Sequence, residues 1–290
     1  MFCYNLAMII DFHTHIFPPR IKENRSKYID RDPCFAILYS EKNAGLATVD
    51  ELIDSMDRDG VDISVVLNIG WTTHEMCVET NDYILESIDR YPKRLVGFCT
   101  VQPRSLDSAL DEIERCAKGG IRGVGEMRPD MQLLDLEDEE IMKPFSEVIN
   151  EHNLILLTHA SEPLGHQYPG KGMITPELLY SFITSYPDLT IVCAHWGGGL
   201  PFYELMPEVK RAMSNVFFDT AASPYLYSPQ VYSQVVQLVG ADKILFGSDY
   251  PLLDQSRLLG EIKSLNFSEE TKNLILSGNA RKLLGIGSEG

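Results

Sequence analysis

Eight short runs rich in isoleucine, valine, leucine and phenylalanine recur along the chain, at 8–13, 61–69, 95–101, 123–127, 154–159, 189–195, 216–219 and 244–247. Continuous apolar runs of this length suit strands buried on both faces, as parallel strands covered by helices are. Longer amphipathic stretches separate them, near 48–59, 74–90, 105–118, 138–152, 175–185, 201–213, 228–239 and 255–264. Several open on a capping or first-turn residue such as Thr48, Ser105, Thr175 or Ser228. Eight strands alternating with eight helices predict an α/β fold, the closed (β/α)8 TIM barrel. At 290 residues the whole of 1–290 is expected to be one barrel domain. The pieces 268–277 and 279–284 read as extra C-terminal helices. Residues 16–47 break the pattern, with no clear period and with Pro18, Pro19, Pro33 and Gly45. They read as a long loop after the first strand, where barrels place substrate-covering segments.

The polar residues fall at particular places. His13, His15, Glu126, His159, His195 and Asp249 each lie at or just beyond the C-terminal end of an expected strand. In a barrel those ends converge on one mouth. His13 and His15 are spaced i, i+2 on extended chain, so both imidazoles project from one face. Taken singly, a strand-terminal histidine can simply bond a backbone carbonyl, and Asp249 can cap a helix. Together they place metal-capable side chains in a space where unpaired charges and imidazoles are costly unless a cation organises them. The expectation is a divalent metal, one or two ions, with Zn2+ first and Mn2+ or Fe2+ as alternatives. Arg128 could meet a substrate carboxylate or form an ordinary ion pair. Trp71 and His74 could line the pocket or stand exposed on a loop. His166 reads as a surface residue, and the glycines of WGGGLP at 196–201 allow either a close approach to a ligand or a tight turn.

Charge narrows the partners. Twenty-five basic against 42 acidic side chains leave a net charge of −17, which disfavours nucleic acid and anionic membranes and points to a small-molecule substrate. The six cysteines form no CxxC pair, as expected of reduced thiols. The first residues lack a basic segment ahead of their apolar stretch, and no apolar run approaches the roughly 18 residues of a membrane span, so a cytoplasmic protein is expected. Apolar loop residues such as Tyr225, Leu226 and Tyr227 would suit a homodimer contact.

The pieces DFHTHIFP, LTHA, CAHWGGGLP, FGSDYP and SGNARKLLG, spread over residues 11–285, resemble the amidohydrolase superfamily. Within it they are similar to the amidohydrolase-2 group that includes the aminocarboxymuconate-semialdehyde decarboxylase. The resemblance implies that His13, His15, His159 and Asp249 ligate a metal, usually zinc, with His195 the catalytic histidine or a ligand to a second ion. Glu126 is a departure. It stands where two-metal members carry a bridging carboxylate, and it either bridges two ions or pairs with Arg128 or Arg122. The leading expectation is hydrolysis of a small ester, lactone or amide by metal-activated water, whose pKa falls from 15.7 to about 7 on the metal, with Asp249 taking the proton. The alternatives are non-oxidative decarboxylation of a small aromatic or muconate-like acid, a TatD-like phosphoesterase, and a metal-binding barrel without turnover.

Overall fold

A computed structural model describes residues 8–287. Eight parallel strands follow one another around the sheet in sequence order: β1 (Ile10–His15), β2 (Ile63–Leu67), β3 (Leu95–Cys99), β4 (Gly123–Met127), β5 (Ile155–Thr158), β6 (Thr190–Cys193), β7 (Val216–Asp219) and β8 (Ile244–Leu245). The ring closes between the last strand and the first, where Phe12 N–H donates to Phe246 O at 2.7 Å and His15 N–H to Tyr250 O at 2.7 Å. This is the expected TIM barrel: β4 and β7 coincide with their apolar runs, β1 is shifted by two residues, and the others are two to four residues shorter. The chain still runs alongside β1 beyond Leu245, where Thr14 and Tyr250 form an isolated parallel bridge.

Two apolar layers hold the barrel. Ile10, Phe12, Val65, Leu67, Phe98, Leu157, Val192 and Leu245 fill its interior, and Ala280 and Leu284 of the C-terminal helix Asn279–Leu284 pack against them. Outside the sheet, Val66, Val124, Leu156, Ile191 and Val216 pack with Leu52, Met56, Ile84, Ile113, Ile149 and Phe182 from the surrounding helices. Each such side chain contributes about 1.5–3 kcal/mol on burial. The helix Val49–Asp59 starts on the expected cap: Thr48 and Glu51 form a reciprocal capping box, and Gly60 ends the helix in the left-handed region. Ser105 does not cap, because Pro103–Ser105 forms a separate turn and the helix begins at Asp107.

Residues 16–47 depart from the expected loop. They fold into three short helices, α1 (Pro19–Glu23), α2 (Arg25–Ile29) and α3 (Pro33–Tyr39). Pro19 and Pro33 occupy first helical positions, where proline is well suited, so they start helices instead of breaking them. Helices of five to seven residues are too short to show a readable period. Phe17, Ile21, Tyr28, Phe35 and Tyr39 build an apolar cluster with Ile69, Trp71, Met76 and Cys77, which fastens this cap to the barrel.

Trp71, expected at the pocket wall or on an exposed loop, does neither. It is fully buried, stacked on Phe35 at 5.3 Å, and donates its indole N–H to Asn68 Oδ1 at 2.6 Å. The five cysteines within the described residues are buried and free, and Cys3 lies outside those residues. No helix among the described residues is long and apolar enough to cross a membrane.

Candidate functional site

The site rests on two irregularities of the sheet. Strict alternation would send Phe12 and His13 to opposite faces of β1, yet Phe12 packs in the barrel interior while His13 meets Glu126, His195 and Asp219 there. A register shift between Asp11 and Thr14 resolves this by turning both inward. β4 carries a second shift, between Val124 and Met127. Met127 packs in the outer layer, and Glu126 and Arg128 flank it on the other side. Irregular pairing of this kind re-aims side chains beside functional sites.

Around the mouth, His13 Nε2 and His15 Nε2 stand 3.1 Å apart, with Asp249 Oδ1 3.3 Å from His15 Nε2 and 3.9 Å from His13 Nε2. Glu126 lies between two sets of imidazoles. Its Oε2 is 3.8 Å from His15 Nε2 and 3.9 Å from His13 Nε2, while its Oε1 takes His159 Nδ1–H at 2.8 Å and lies 3.3 Å from His195 Nε2. His13, His15 and Asp249 offer donor atoms close enough to share one ion, and so do His13, Glu126 and His195. His159 differs from the expected ligand set. Both of its ring nitrogens are engaged by protein, Nδ1 on Glu126 and Nε2 on the Ser161 hydroxyl at 3.0 Å, which in turn accepts Gly172 N–H at 2.8 Å. As the side chains stand, His159 reaches the centre through Glu126.

The electrostatics call for a cation. Three carboxylates, Glu126, Asp219 and Asp249, crowd buried imidazoles with no lysine among them. Burial works to lower the His13 pKa, but Asp219, Glu126 and Asp249 outweigh it and raise it to about 10. Burial is likewise overcome at His195, which Glu126, Asp249 and Asp219 raise to about 9. Asp249 goes the other way: against burial, His15, His13 and His195 hold it at about 2. His159 falls to about 4, through burial and then the charge of Arg128, and is a neutral imidazole at neutral pH. His13 Nδ1–H donates to Asp219 Oδ2 at 2.8 Å, which directs Nε2 into the site as an acceptor. Two such nitrogens at 3.1 Å with carboxylate oxygens beside them fit a borderline divalent ion; without one, protons must supply the positive charge.

Asp219 escaped the sequence reading, and the backbone after β6 answers a choice that reading left open. Asp219 closes β7 and serves two histidines, accepting from the His13 ring and, through Oδ1, from His195 N–H at 2.8 Å. The signal was available, since an acid ending an apolar run is what drew attention to Asp249. After β6, His195, Trp196, Gly197, Gly198 and Gly199 all take positive φ, from 56° to 96°, forming a left-handed turn. This conformation costs L-residues about 1–2 kcal/mol each. Glycine occupies three positions, and a Cβ at Gly198 would come within 2.5 Å of Ser161 O. The WGGG run is therefore the tight turn, which aims His195. Asp249 is also left-handed, at φ 67°, and its N–H donates to His13 O at 2.9 Å.

Of the weaker candidates, His166 is exposed. Arg128 is buried and paired with Asp130, its Nη2 at 3.3 Å. Arg122 takes no part in the cluster, since its exposed side chain lies at the start of β4, at the opposite end of the barrel.

Comparison with known proteins adds the following. A family model described as Amidohydrolase matches residues 10–286. The 2-amino-3-carboxymuconate-6-semialdehyde decarboxylase of Dictyostelium discoideum is 24% identical over 335 residues, covering 97% of this chain and 92% of the relative. Among solved structures, 5-carboxyvanillate decarboxylase from Sphingomonas paucimobilis superposes with a TM-score of 0.81 at 19% identity, covering 97% of this chain and 100% of that one. The 5-carboxyvanillate decarboxylase of Novosphingobium aromaticivorans, solved with manganese and 4-hydroxy-3-methoxy-5-nitrobenzoic acid, has a TM-score of 0.80 at 20% identity, covering 96% of each chain. The Dictyostelium discoideum relative is a decarboxylase, which accords with the alternative reading better than with hydrolysis.

Proposed function

The chain belongs to the amidohydrolase family, and on that premise we propose that it is a metal-dependent, non-oxidative decarboxylase of a small aromatic or muconate-like carboxylic acid. His13, His15 and Asp249 would hold the ion, manganese or zinc, and His159 could join them through Nδ1 if its ring proton moves to Nε2, where the Ser161 hydroxyl can accept it. A divalent ion in that set supplies a Lewis acid that neutralises anionic oxygens of the substrate.

The observation that carries the choice is the likeness, over 97% of this chain, to a decarboxylase of a muconate-type acid. His195 Nε2 stands at the mouth, 3.3 Å from Glu126 Oε1, placed to deliver a proton. In the proposed reaction the bond between ring carbon and carboxyl carbon breaks and carbon dioxide leaves. The electron pair left on the ring carbon takes the His195 Nε2 proton, and solvent reprotonates the imidazole. Ala221 O, 3.2 Å from His195 Nδ1, keeps the ring oriented through the cycle.

The test is to incubate manganese-loaded and zinc-loaded protein in D2O with 5-carboxyvanillate, 6-methylsalicylate, 2,6-dihydroxybenzoate and a panel of lactones. Release of carbon dioxide with one deuterium at the vacated ring position is expected, along with a drop of about 10²-fold or more in His195→Gln. Lactone opening without carbon dioxide release would restore the hydrolase reading.

A further inference from the structure

Asp249 stands where the sheet gives it little support. β8 is two residues long, and beyond Leu245 the chain meets β1 at the isolated bridge of Thr14 and Tyr250. Asp249 itself sits at φ 67°, a conformation that a non-glycine residue keeps only where its surroundings over-determine it. Across the junction, the register shift between Asp11 and Thr14 leaves His13 without a partner on β2. Two of the three residues whose donor atoms can share one ion, His13 and Asp249, therefore lie on backbone that regular strand pairing does not fix.

Asp11 fills both gaps. It is fully buried, beside Ser64 of β2 and Gln255 of the helix Gln255–Ser264. Its Oδ1 accepts two backbone N–H groups, His13 at 3.2 Å and Ser248 at 2.9 Å, one from each unsupported segment. Its Oδ2 accepts the Ser248 hydroxyl at 2.5 Å and Gln255 Nε2–H at 2.8 Å. Ser248 Oγ in turn accepts Tyr250 N–H at 3.0 Å, so the residues on both sides of Asp249 hang from one carboxylate. Gly247 allows this closeness, since a Cβ there would lie 2.9 Å from His13 Cβ. All four donors to Asp11 are neutral, and together they offset the cost of burying its carboxylate.

We propose that Asp11 is a positioning residue of the centre: through Oδ1 it sets the separation of His13 and Asp249, and with it the affinity of the pair for a divalent ion. The proposal rests on the metal reading of that site and not on the reaction. Asp11 acts through the backbone, so the shape of the acceptor matters and its charge does not. The two donors on Oδ1 are backbone amides, which cannot reverse. The two on Oδ2 are side chains that can: the Ser248 hydroxyl rotates, and Gln255 can present its Oε1, which is buried without a partner among the described residues. Asparagine at position 11 therefore keeps both backbone bonds on its amide oxygen and gives its N–H2 to Ser248 and Gln255.

The test is manganese affinity, read on the full chain by competition with a chromophoric chelator, together with the visible absorption of cobalt-loaded protein. Asp11→Ala should bind manganese about 10–100-fold more weakly. Asp11→Ser, whose hydroxyl can still take the N–H two residues on but no longer reaches Ser248, should fall in the same range. Asp11→Asn should stay within about threefold of wild type. The cobalt spectrum should change in the alanine and serine variants and keep its wild-type shape in Asp11→Asn, a contrast that a general loss of stability would not produce. Should Asp11→Ala fail to fold, Asp11→Ser against Asp11→Asn decides alone. An Asp11→Asn protein as weak as Asp11→Ser would assign the effect to charge and overturn the proposal, as would an Asp11→Ser protein that binds like wild type; either leaves the metal reading standing. A wild type that binds neither manganese nor cobalt would overturn the metal reading and the proposal with it.

Discussion

Asp219 shows how a single carboxylate can organise a whole centre. One oxygen sets the tautomer of His13 and the other anchors the backbone of His195, so a strand-end acid that touches no substrate orients both a ligand and the proton donor. Replacing it with asparagine keeps the shape but permits the amide N–H2 to face His13 Nδ1. The ring then loses its fixed direction, and manganese affinity should fall about 10–100-fold, read by competition with a chromophoric chelator. Unchanged affinity would mean that packing alone orients His13. Asp11 is buried in a comparable network, accepting from Ser248 Oγ at 2.5 Å and Gln255 Nε2 at 2.8 Å, and it ties β1 to the segment carrying Asp249.

At the level of elements, the left-handed turn after β6 is tightly constrained. Gly198→Ala would introduce both an unfavourable φ and a contact of 2.5 Å with Ser161 O, the residue that bonds His159. A loss of roughly 2–4 kcal/mol is expected in urea unfolding, combining the left-handed penalty with overpacking. Gly260→Ala is the matched control. It lies inside the helix Gln255–Ser264 with nothing within 4 Å of the added methyl, and should gain about 0.5–1 kcal/mol. If both variants lost stability alike, the backbone of the turn would not be the source. The strands and long helices were legible in the sequence because apolar periodicity survives over their length. The cap helices were not, and their prolines pointed to a loop because a proline that opens a helix and one that breaks it look alike without the neighbouring dihedrals.

For the molecule as a whole, the centre couples folding to protons. In metal-free protein the raised pKa values of His13 and His195 contribute stability that is fully present below their unfolded value near 6.5 and is lost as pH rises through about 9 to 10. Asp249 contributes in the opposite direction, above its unfolded value, and its share is lost as pH falls through about 2. Calorimetry of chelator-treated protein should therefore show Tm falling between pH 7 and 10, while the manganese-loaded protein, whose ligand His13 has already shed its proton, should show a smaller fall across the same window. Parallel declines in both forms would place the titration elsewhere. The eight-fold β/α repeat was determined by the sequence alone, because an apolar run between amphipathic stretches has few other ways to bury itself. So was the gathering of His13, His15, Glu126, His159, His195 and Asp249 at one mouth, since parallel strands bring all their C-terminal ends together. Only the tertiary structure decided which nitrogen meets which oxygen. Register shifts in β1 and β4, the turn at 195–199 and the reach of Asp219 depend on how neighbouring strands pair and pack, and a linear pattern of residue types does not encode that pairing.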